Sequence, residues 1–588
     1  MAFSDLFSKK TPDVTVAIQS DPESSDSEPH VIQDGGLAYT RVKGGNGSKP
    51  SYQEAVGAPV ESDSPLGYNV GWVTVIFLNV NMMIGTGIFS TPASILNRTG
   101  SVGLALIYWV IGFVMAAAGI CVYLELAGYF PNRSGSEVVY LEQQYPRPKH
   151  FFPITFAVQS VLLNFGSSNA IVLARYAWRM TFKEPTEWQV RGVAIAAYSL
   201  AIIFAVANNK WSLWASNFIG ALKLLTLLFI SITGLVVLGG HVKSIPNPTA
   251  NFHNAFEGAT PNGNDLASAL VSIVFSYAGY SNAFNVVNEI KNPIPTLKKS
   301  TSVALLVVVV LYIFCNIAYF AVVPKDEFKE ASEIAASIFF TKLFGESRAA
   351  ANVLNFMVLL SAFGNLLAVL IGNSRMIREI GRQGVLPFTE FWVSTKPFGT
   401  PLGPCLLNFA VTIIMIIAPP AGDAFAFVVS LQTYPSALFN FAMAIGVFVL
   451  RRRRKRSGLG YGEFKAWDVM VIFWTVVQVF VLAMPWWPPK GGPYAGDVSF
   501  WYATYCVVGI GILLLCGVYY VFWMYLLPRW GGYVIRSELI EVGTDGANTH
   551  RLLKIPKAEI EQWDRNHDEV GKLRQRNMTD SDPSLVQQ

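Results

Sequence analysis

The residues best placed to do chemistry in this chain are backbone groups rather than reactive side chains. The stretch Asn81-Met82-Met83-Ile84-Gly85-Thr86-Gly87-Ile88-Phe89 puts two glycines around a hydroxyl residue in the middle of an apolar run. That is the least helix-favouring composition at a depth where a helix is otherwise required. A second run, Phe275-Ser276-Tyr277-Ala278-Gly279-Tyr280-Ser281-Asn282, is interrupted in the same way. A broken helix leaves free N–H groups at the start of one half and free C=O groups at the end of the other. The N–H end suits an anion and the C=O end a cation. Together they suit a zwitterion, and an α-amino acid is the obvious one. Close helix packing through small residues is the competing reading of Gly85-Thr86-Gly87 taken alone. A matching break five spans later favours a binding site.

The third feature is Lys223, within Ala221-Leu222-Lys223-Leu224-Leu225, the one charge near the middle of an apolar run. A lysine at mid-bilayer costs at least about 2.5–3.5 kcal/mol, so it needs carbonyl or carboxylate partners or must shed its proton. Snorkelling to water is the alternative, but the side chain lies about 12 residues, or roughly 18 Å, from either end of its run. Lys223 is therefore expected to bridge its helix to carbonyls of the broken first helix. Desolvation disfavours a charged lysine, which also makes Lys223 a candidate carrier of a coupling proton.

Other chemistries find no residues. The histidines, His30, His150, His241, His253, His550 and His567, all lie away from the middle of the apolar runs. No His-Glu-x-x-His, zinc-spaced Cys pair, Gly-x-Ser-x-Gly or phosphate-binding Gly-x-x-x-x-Gly-Lys-Ser/Thr occurs. An intramembrane enzyme, a metal or cofactor site and an ATP-driven pump are accordingly not expected. Neither a charged ring nor a filter-like repeat supports an ion channel.

These groups must be positioned by helices. Of 588 residues, 52% are hydrophobic and only 14% charged, with 44 Lys and Arg against 39 Asp and Glu. A soluble chain is about one quarter charged. Twelve nearly uncharged runs fall near 70–97, 101–124, 151–174, 192–209, 211–239, 266–288, 301–323, 349–374, 402–422, 424–450, 469–489 and 499–527. Each is long enough to cross a hydrocarbon core about 30 Å thick as a helix. The two breaks each open a set of five spans. An odd number per set inverts the second set relative to the first, the pattern of an inverted-repeat transporter with discontinuous helices.

Basic residues fall on one side if the N-terminus is cytosolic: Arg133, Arg147, Lys149, Lys210, Lys291, Lys298, Lys299, Arg375, Arg378, Arg382, Lys396 and the cluster 451–456. The cluster reads as a topology anchor rather than a nuclear signal, because it sits at a helix end. With twelve spans both termini are cytosolic. Glu125 and Glu289, at cytosolic ends of spans two and six, are candidates to pair with Arg133, Arg375 or Arg378 and latch an inner gate; ordinary interfacial carboxylates are the alternative. Asn164, Ser167, Ser168 and Asn169 bring polar groups into span three.

Residues 1–66 are poor in large apolar residues and read as a disordered cytosolic arm. Its acidic, serine-rich stretch 20–28 suits either a phosphorylated docking patch for a ubiquitin-ligase adaptor or a plain solvated tether. Residues 67–528 form the permease-like domain, with repeats near 70–240 and 266–450. Residues 529–588 read as a cytosolic tail with helical potential around 557–574.

Several of these segments together resemble a known family. Gly85-Thr86-Gly87-Ile88-Phe89 with Thr91-Pro92 is similar to the first-helix motif of the amino acid–polyamine–organocation (APC) superfamily. Tyr123-Leu124-Glu125-Leu126, Pro131-Asn132-Arg133-Ser134-Gly135-Ser136-Glu137 with Tyr140-Leu141, Glu289-Ile290-Lys291-Asn292-Pro293, and Ser374-Arg375 with Gly384-Val385-Leu386-Pro387 follow in the family's order. The run 132–143 most resembles fungal high-affinity methionine permeases of the L-type amino acid transporter branch. The resemblance covers about 70–530 and implies an all-α polytopic fold of twelve transmembrane helices. This is the LeuT-like five-plus-five inverted repeat, with helices 1 and 6 discontinuous and two further helices at the C-terminus. It also implies that Thr86 and Gly87, with Gly85 beside them, meet the substrate carboxylate. The ammonium would meet carbonyls of Met83, Phe275, Ser276 and Ala278, and Phe275 would gate the site. At Ala278-Gly279-Tyr280-Ser281 the chain departs from the L-type exchangers, which commonly carry a second glycine and then Trp-Asn.

The expected function is secondary import of a neutral L-amino acid, methionine-like, across the plasma membrane, with the proton as coupling ion. An amino acid sensor signalling through its tails would need the same site. An exchanger of broader neutral specificity usually has a disulfide-linked single-span partner, and none of the outer loops offers a cysteine for one.

Overall fold

A backbone surrounded by apolar side chains can pair its N–H and C=O groups only within itself, so the apolar runs become helices. The computed structural model describes residues 31–574 except 35–36, 164–165, 331–334, 346, 419–423, 489–491, 493, 495–500 and 543–546. Stretch 20–28 therefore lies outside the described residues. The first run is α1 (Trp72–Met83) and α2 (Gly87–Thr99), bent by 44° at the glycines. Helix α3 (Val102–Tyr129) and the short α4 (Glu137–Gln144) follow. The third run, expected as a continuous helix, is divided into α5 (Phe151–Leu163) and α6 (Ser167–Arg179). Gly166 precedes α6 and donates its N–H to the Thr412 hydroxyl at 3.1 Å. Asn164 falls outside the described residues.

Then come α7 (Glu187–Ala207), α8 (Asn209–Leu238) and α9 (Gly263–Tyr277), whose run resumes as a 3-10 turn over Asn282–Glu289. The remainder is α10 (Pro293–Val322), α11 (Lys325–Glu330), α12 (Ala335–Phe344), α13 (Arg348–Arg382), α14 (Thr389–Val393), α15 (Leu402–Ile417), α16 (Ala424–Arg456), α17 (Asp468–Ala483) and α18 (Thr504–Val521). Among the described residues nine helices are long and apolar enough to cross a membrane, and the bent pair α1–α2 makes a tenth. The chain is a mostly helical, multi-pass membrane protein. Helix α1 sits at its centre, packed on α8, α10 and α13, while α2 packs on α9.

Residues 31–66 depart from the expected disordered arm. They form an antiparallel sheet of β1 (Val31–Asp34), β2 (Leu37–Val42) and β3 (Ser51–Glu54). Charge holds this otherwise polar segment down. Fully buried Glu61 accepts from Arg378 at 2.6 Å and lies 3.4 Å from Arg382. The Glu142 carboxylate accepts the Ala58 N–H at 3.0 Å, and Asp34 pairs with Arg456 at 3.0 Å. Burial, reinforced by the neighbouring Glu142, pushes the Glu54 carboxyl up to about 7. The C-terminal segment adds a hairpin of β4 (Tyr533–Val542) and β5 (Ala547–Pro556) and a short helix over Ile560–Asn566. Thr549 in β5 donates to the Arg382 carbonyl at 3.2 Å, so both tails pack on the same end of α13.

Removing one partner of a buried ion pair strands the other charge. Glu61→Ala should therefore lower the stability of the detergent-solubilised protein by about 3–5 kcal/mol, read as an earlier thermal melt. The exposed pair Arg536–Asp564 is the control: Arg536→Ala should cost under about 1 kcal/mol.

Candidate functional site

The two breaks meet. Gly87 opens α2 so close to the other break that a Cβ there would stand 3.2 Å from the Ser276 Cα. Gly279, at φ +109°, turns the chain after α9, and a Cβ on it would reach within 2.5 Å of the Met82 side chain. Both glycines permit a backbone approach that no larger residue allows. Thr91 and Ser276 join the two elements through their hydroxyls at 2.9 Å.

The carbonyls loosened at the first break are then paired by neighbouring helices. From α10, the Tyr312 hydroxyl lies 2.8 Å from the Met83 carbonyl and 3.1 Å from that of Ser276, spanning both breaks. Trp109 and Tyr277 pack their rings against it, with centroids 5.2 and 5.3 Å away. From α13, Ser361 donates to the carbonyls of Gly85 (2.9 Å) and Ile84 (3.2 Å), and Asn365 donates to Met82 (2.8 Å). Asn79 accepts the Ala283 N–H and donates to the Tyr280 carbonyl, both at 2.8 Å. Lys223, 3% exposed on α8, directs its ammonium to the carbonyls of Ile84 (2.7 Å) and Asn81 (2.9 Å). Gly364 makes room for it, since a Cβ there would stand 3.0 Å from the lysine Cε.

A cavity of about 410 Å³ opens between the breaks. Met83, Gly85, Thr86, Gly87, Phe275, Ala278 and Gly279 line it; Ser276 does not, its carbonyl being turned to Tyr312. The Phe275 carbonyl accepts the Ala278 N–H at 3.1 Å. The rest of the wall mixes polar Gln159, Ser160, Asn169, Asn365 and Asn440 with apolar Phe156, Val274 and Val481. No cluster of His, Cys, Asp and Glu able to hold a metal occurs among the described residues.

Toward the end of the helices that carries both tails, Glu289 pairs with Arg375 at 2.8 Å, one of the pairings expected. Arg375 also donates to Asn209 at 2.7 Å, so the ends of α8, α13 and the 3-10 turn are joined. Glu125 departs from expectation. Its partner is Arg451 at 2.5 Å, drawn from the cluster read as a topology anchor, and the Tyr129 hydroxyl adds a bond at 2.9 Å. Arg133 is taken by Glu379 and Glu142, each at 2.6 Å, and Arg378 by Glu61. With these arginines committed elsewhere, Glu125 pairs with the basic helix end that packs beside it.

The sequence reasoning missed Tyr312, Ser361 and Asn365. Their signal was a polar residue inside an apolar run, the same signal that singled out Lys223. Both hydroxyls and amides are too common in helices for that to select them.

The strain at Gly279 can be tested directly. Gly279→Ala forces a methyl into Met82 and a side chain into a conformation costing of order 1–3 kcal/mol. It should lower the melting temperature in detergent, whereas Gly192→Ala, with open space around its Cα, should not.

The sequence model of the amino acid permease family matches residues 70–513. The high-affinity methionine permease of Saccharomyces cerevisiae is 37% identical over 506 residues, covering 85% of this chain and 87% of that one. The low-affinity methionine permease of the same yeast is 28% identical, covering 81% and 86%. The human b(0,+)-type amino acid transporter 1 is 26% identical, covering 71% and 82%. These relatives are transporters rather than enzymes. A cavity floored by two broken helices, in a multi-pass chain matched over most of its length, places this protein in the amino acid permease family.

Proposed function

We propose that the chain imports neutral L-amino acids, methionine foremost, across the plasma membrane by alternating access and in symport with protons. The observation that carries this reading is the cavity between the two backbone breaks. Its size exceeds that of one methionine, and its wall offers both dipole ends and apolar surface. The first N–H groups of α2, at Thr86 and Gly87 beside Gly85, would receive the carboxylate. Carbonyls of Phe275 and Ala278 would receive the ammonium; those of Met83 and Ser276, expected to join them, already face the Tyr312 hydroxyl. Phe275, with Phe156 and Val274, would cover the thioether chain, and Phe275 would gate it. The names of the two yeast relatives support methionine within the neutral class.

Under this reading the helices form twelve spans in the LeuT-like five-plus-five arrangement, with both termini cytosolic. Glu289–Arg375 and Glu125–Arg451 then lie at the inner gate. Alternating access requires them to break and re-form in each cycle. Lys223 holds the carbonyl end of α1 by charge, so its protonation state is linked to the shape of the break.

Radiolabelled uptake in a permease-deficient yeast strain tests this. Methionine should accumulate, unlabelled methionine should compete best in a panel of twenty amino acids, and a protonophore should abolish accumulation. A protein that binds but accumulates nothing would be a sensor instead. Lys223→Met keeps the volume of the side chain but removes both carbonyl bonds. It should raise KM at least about tenfold and flatten the pH dependence of uptake; a loss of one charged hydrogen bond alone is of that size. Unchanged KM and unchanged pH dependence would remove Lys223 from the mechanism.

A further inference from the structure

The cavity has a second chemically distinct end that the amino acid does not require. Glu137 opens α4 after the turn Ser134-Gly135-Ser136, in which Gly135 stands at φ +101° and Ser136 at φ +48°. That turn is tied to the broken sixth run. The Gly135 N–H donates to the Asn285 carbonyl at 3.2 Å, and Ser134 accepts the Asn288 N–H at 3.0 Å. The carboxylate so placed lines the same cavity as the glycine breaks. One oxygen accepts the Tyr123 hydroxyl at 2.5 Å; the other is buried with no hydrogen-bond partner among the described residues.

Its surroundings hold no counter-charge. Tyr123 faces it from α3, Tyr140 from its own helix and Tyr280 from the turn after α9, with ring centroids of Tyr140 and Tyr280 about 6 Å from that of Tyr123. Asn440 of α16 lies 3.4 Å from the Tyr123 hydroxyl, and Gln159 of α5 and Gln478 of α17 also line the cavity. Among the described residues the ionisable groups acting on Glu137 are thus phenols, neutral at physiological pH. Glu61, Glu125, Glu142, Glu289 and Glu379, by contrast, each have an arginine. A buried carboxylate without a cation resolves its desolvation by taking up a proton. Burial pushes the Glu137 carboxyl above the ordinary range, against the combined pull of the Tyr123 hydroxyl, its own N–H and the Ser136 hydroxyl.

We propose that Glu137 is a proton-binding residue of the transport cycle, protonated while the cavity is dry and deprotonated when the path beneath it opens to water. The inference rests on the proton-coupled reading above and adds a second group to Lys223. Its position fits that task. Its turn is hydrogen-bonded to the sixth run, so movement of that run changes the hydration of the carboxyl. Its own helix carries Glu142, which pairs with Arg133 in the ion-pair lattice at the tail-bearing end. Proton release and opening of that lattice therefore act on one rigid element.

The test compares parent, Glu137→Gln and Tyr123→Phe in methionine uptake across external pH, with methionine-induced protection against thermal melting as the binding readout. Glu137→Gln keeps an acceptor for Tyr123 but cannot ionise. It should still be protected by methionine, yet lose the pH dependence of uptake and concentrative accumulation. Tyr123→Phe removes the bond that favours the ionised form, so uptake should persist to an external pH higher by about one unit. An unchanged pH profile in Glu137→Gln overturns the proposal while leaving proton coupling intact. Loss of methionine protection in a folded Glu137→Gln also overturns it, because Glu137 would then be a substrate ligand. If Glu137→Gln does not fold, the Tyr123→Phe midpoint decides: an upward shift supports the proposal and no shift overturns it. A parent insensitive to pH and protonophore would defeat the coupled reading itself.

Discussion

The structure turns on backbone that is unwound where there is no water to satisfy it. A free carbonyl or N–H in a low-dielectric interior costs several kcal/mol, so each one needs a partner or a ligand. Around α1 the carbonyls of Asn81, Met82, Met83, Ile84 and Gly85 are met by Lys223, Asn365, Tyr312 and Ser361. These partners come from α8, α10 and α13, the helices packed around α1. The arrangement of the central helices thus follows from the demands of a few peptide groups. It also fixes the geometry: a break held from three sides keeps its open face directed at the cavity.

The same economy governs the tail-bearing end. Arg133, Arg375, Arg378, Arg382 and Arg451 are all buried, and each has a carboxylate: Glu142 and Glu379, Glu289, Glu61, Glu379 and Glu125. Buried ion pairs add little net stability but enforce a unique arrangement, since a mispaired charge is costly. Under the alternating-access reading proposed above, such an end is closed in one state and separates into hydrated ions in the other. Glu61 makes the N-terminal segment part of that closure.

Apolar composition showed that the chain is built of membrane-length helices, of which nine and one bent pair stand among the described residues against twelve expected; both breaks and Lys223 stood out as local departures from that composition. Gly85, Gly87 and Gly279 stand out in runs where helix formers dominate. The partners of the breaks were harder to see. Tyr312 and Ser361 are single hydroxyl residues in long helices, and only tertiary packing shows that both are aimed at α1. The division between α5 and α6 falls where Gly166 stands among Ser167, Ser168 and Asn169, but the same residues read equally well as polar groups inside one continuous span. The order of residues 31–66 was illegible for a different reason: that segment is fixed mainly by Glu61, Asp34 and hydrogen bonds to the helical bundle, with only a small apolar cluster of Ile32, Leu37, Tyr39 and Tyr52 against Leu459. The partner of Glu125 was misassigned because several arginines compete within the same short loops, and spacing alone does not rank them.

The central claim is that unwound backbone, not a side-chain pocket, recognises the transported solute. Electron cryo-microscopy of the full chain with L-methionine tests it most directly. The account predicts ligand density in the cavity between the breaks, its carboxylate against the N–H groups at Thr86 and Gly87 and its ammonium toward the carbonyl ends. Unbroken α-helix through Gly85 and Gly279, or methionine bound elsewhere with this cavity empty, would contradict it.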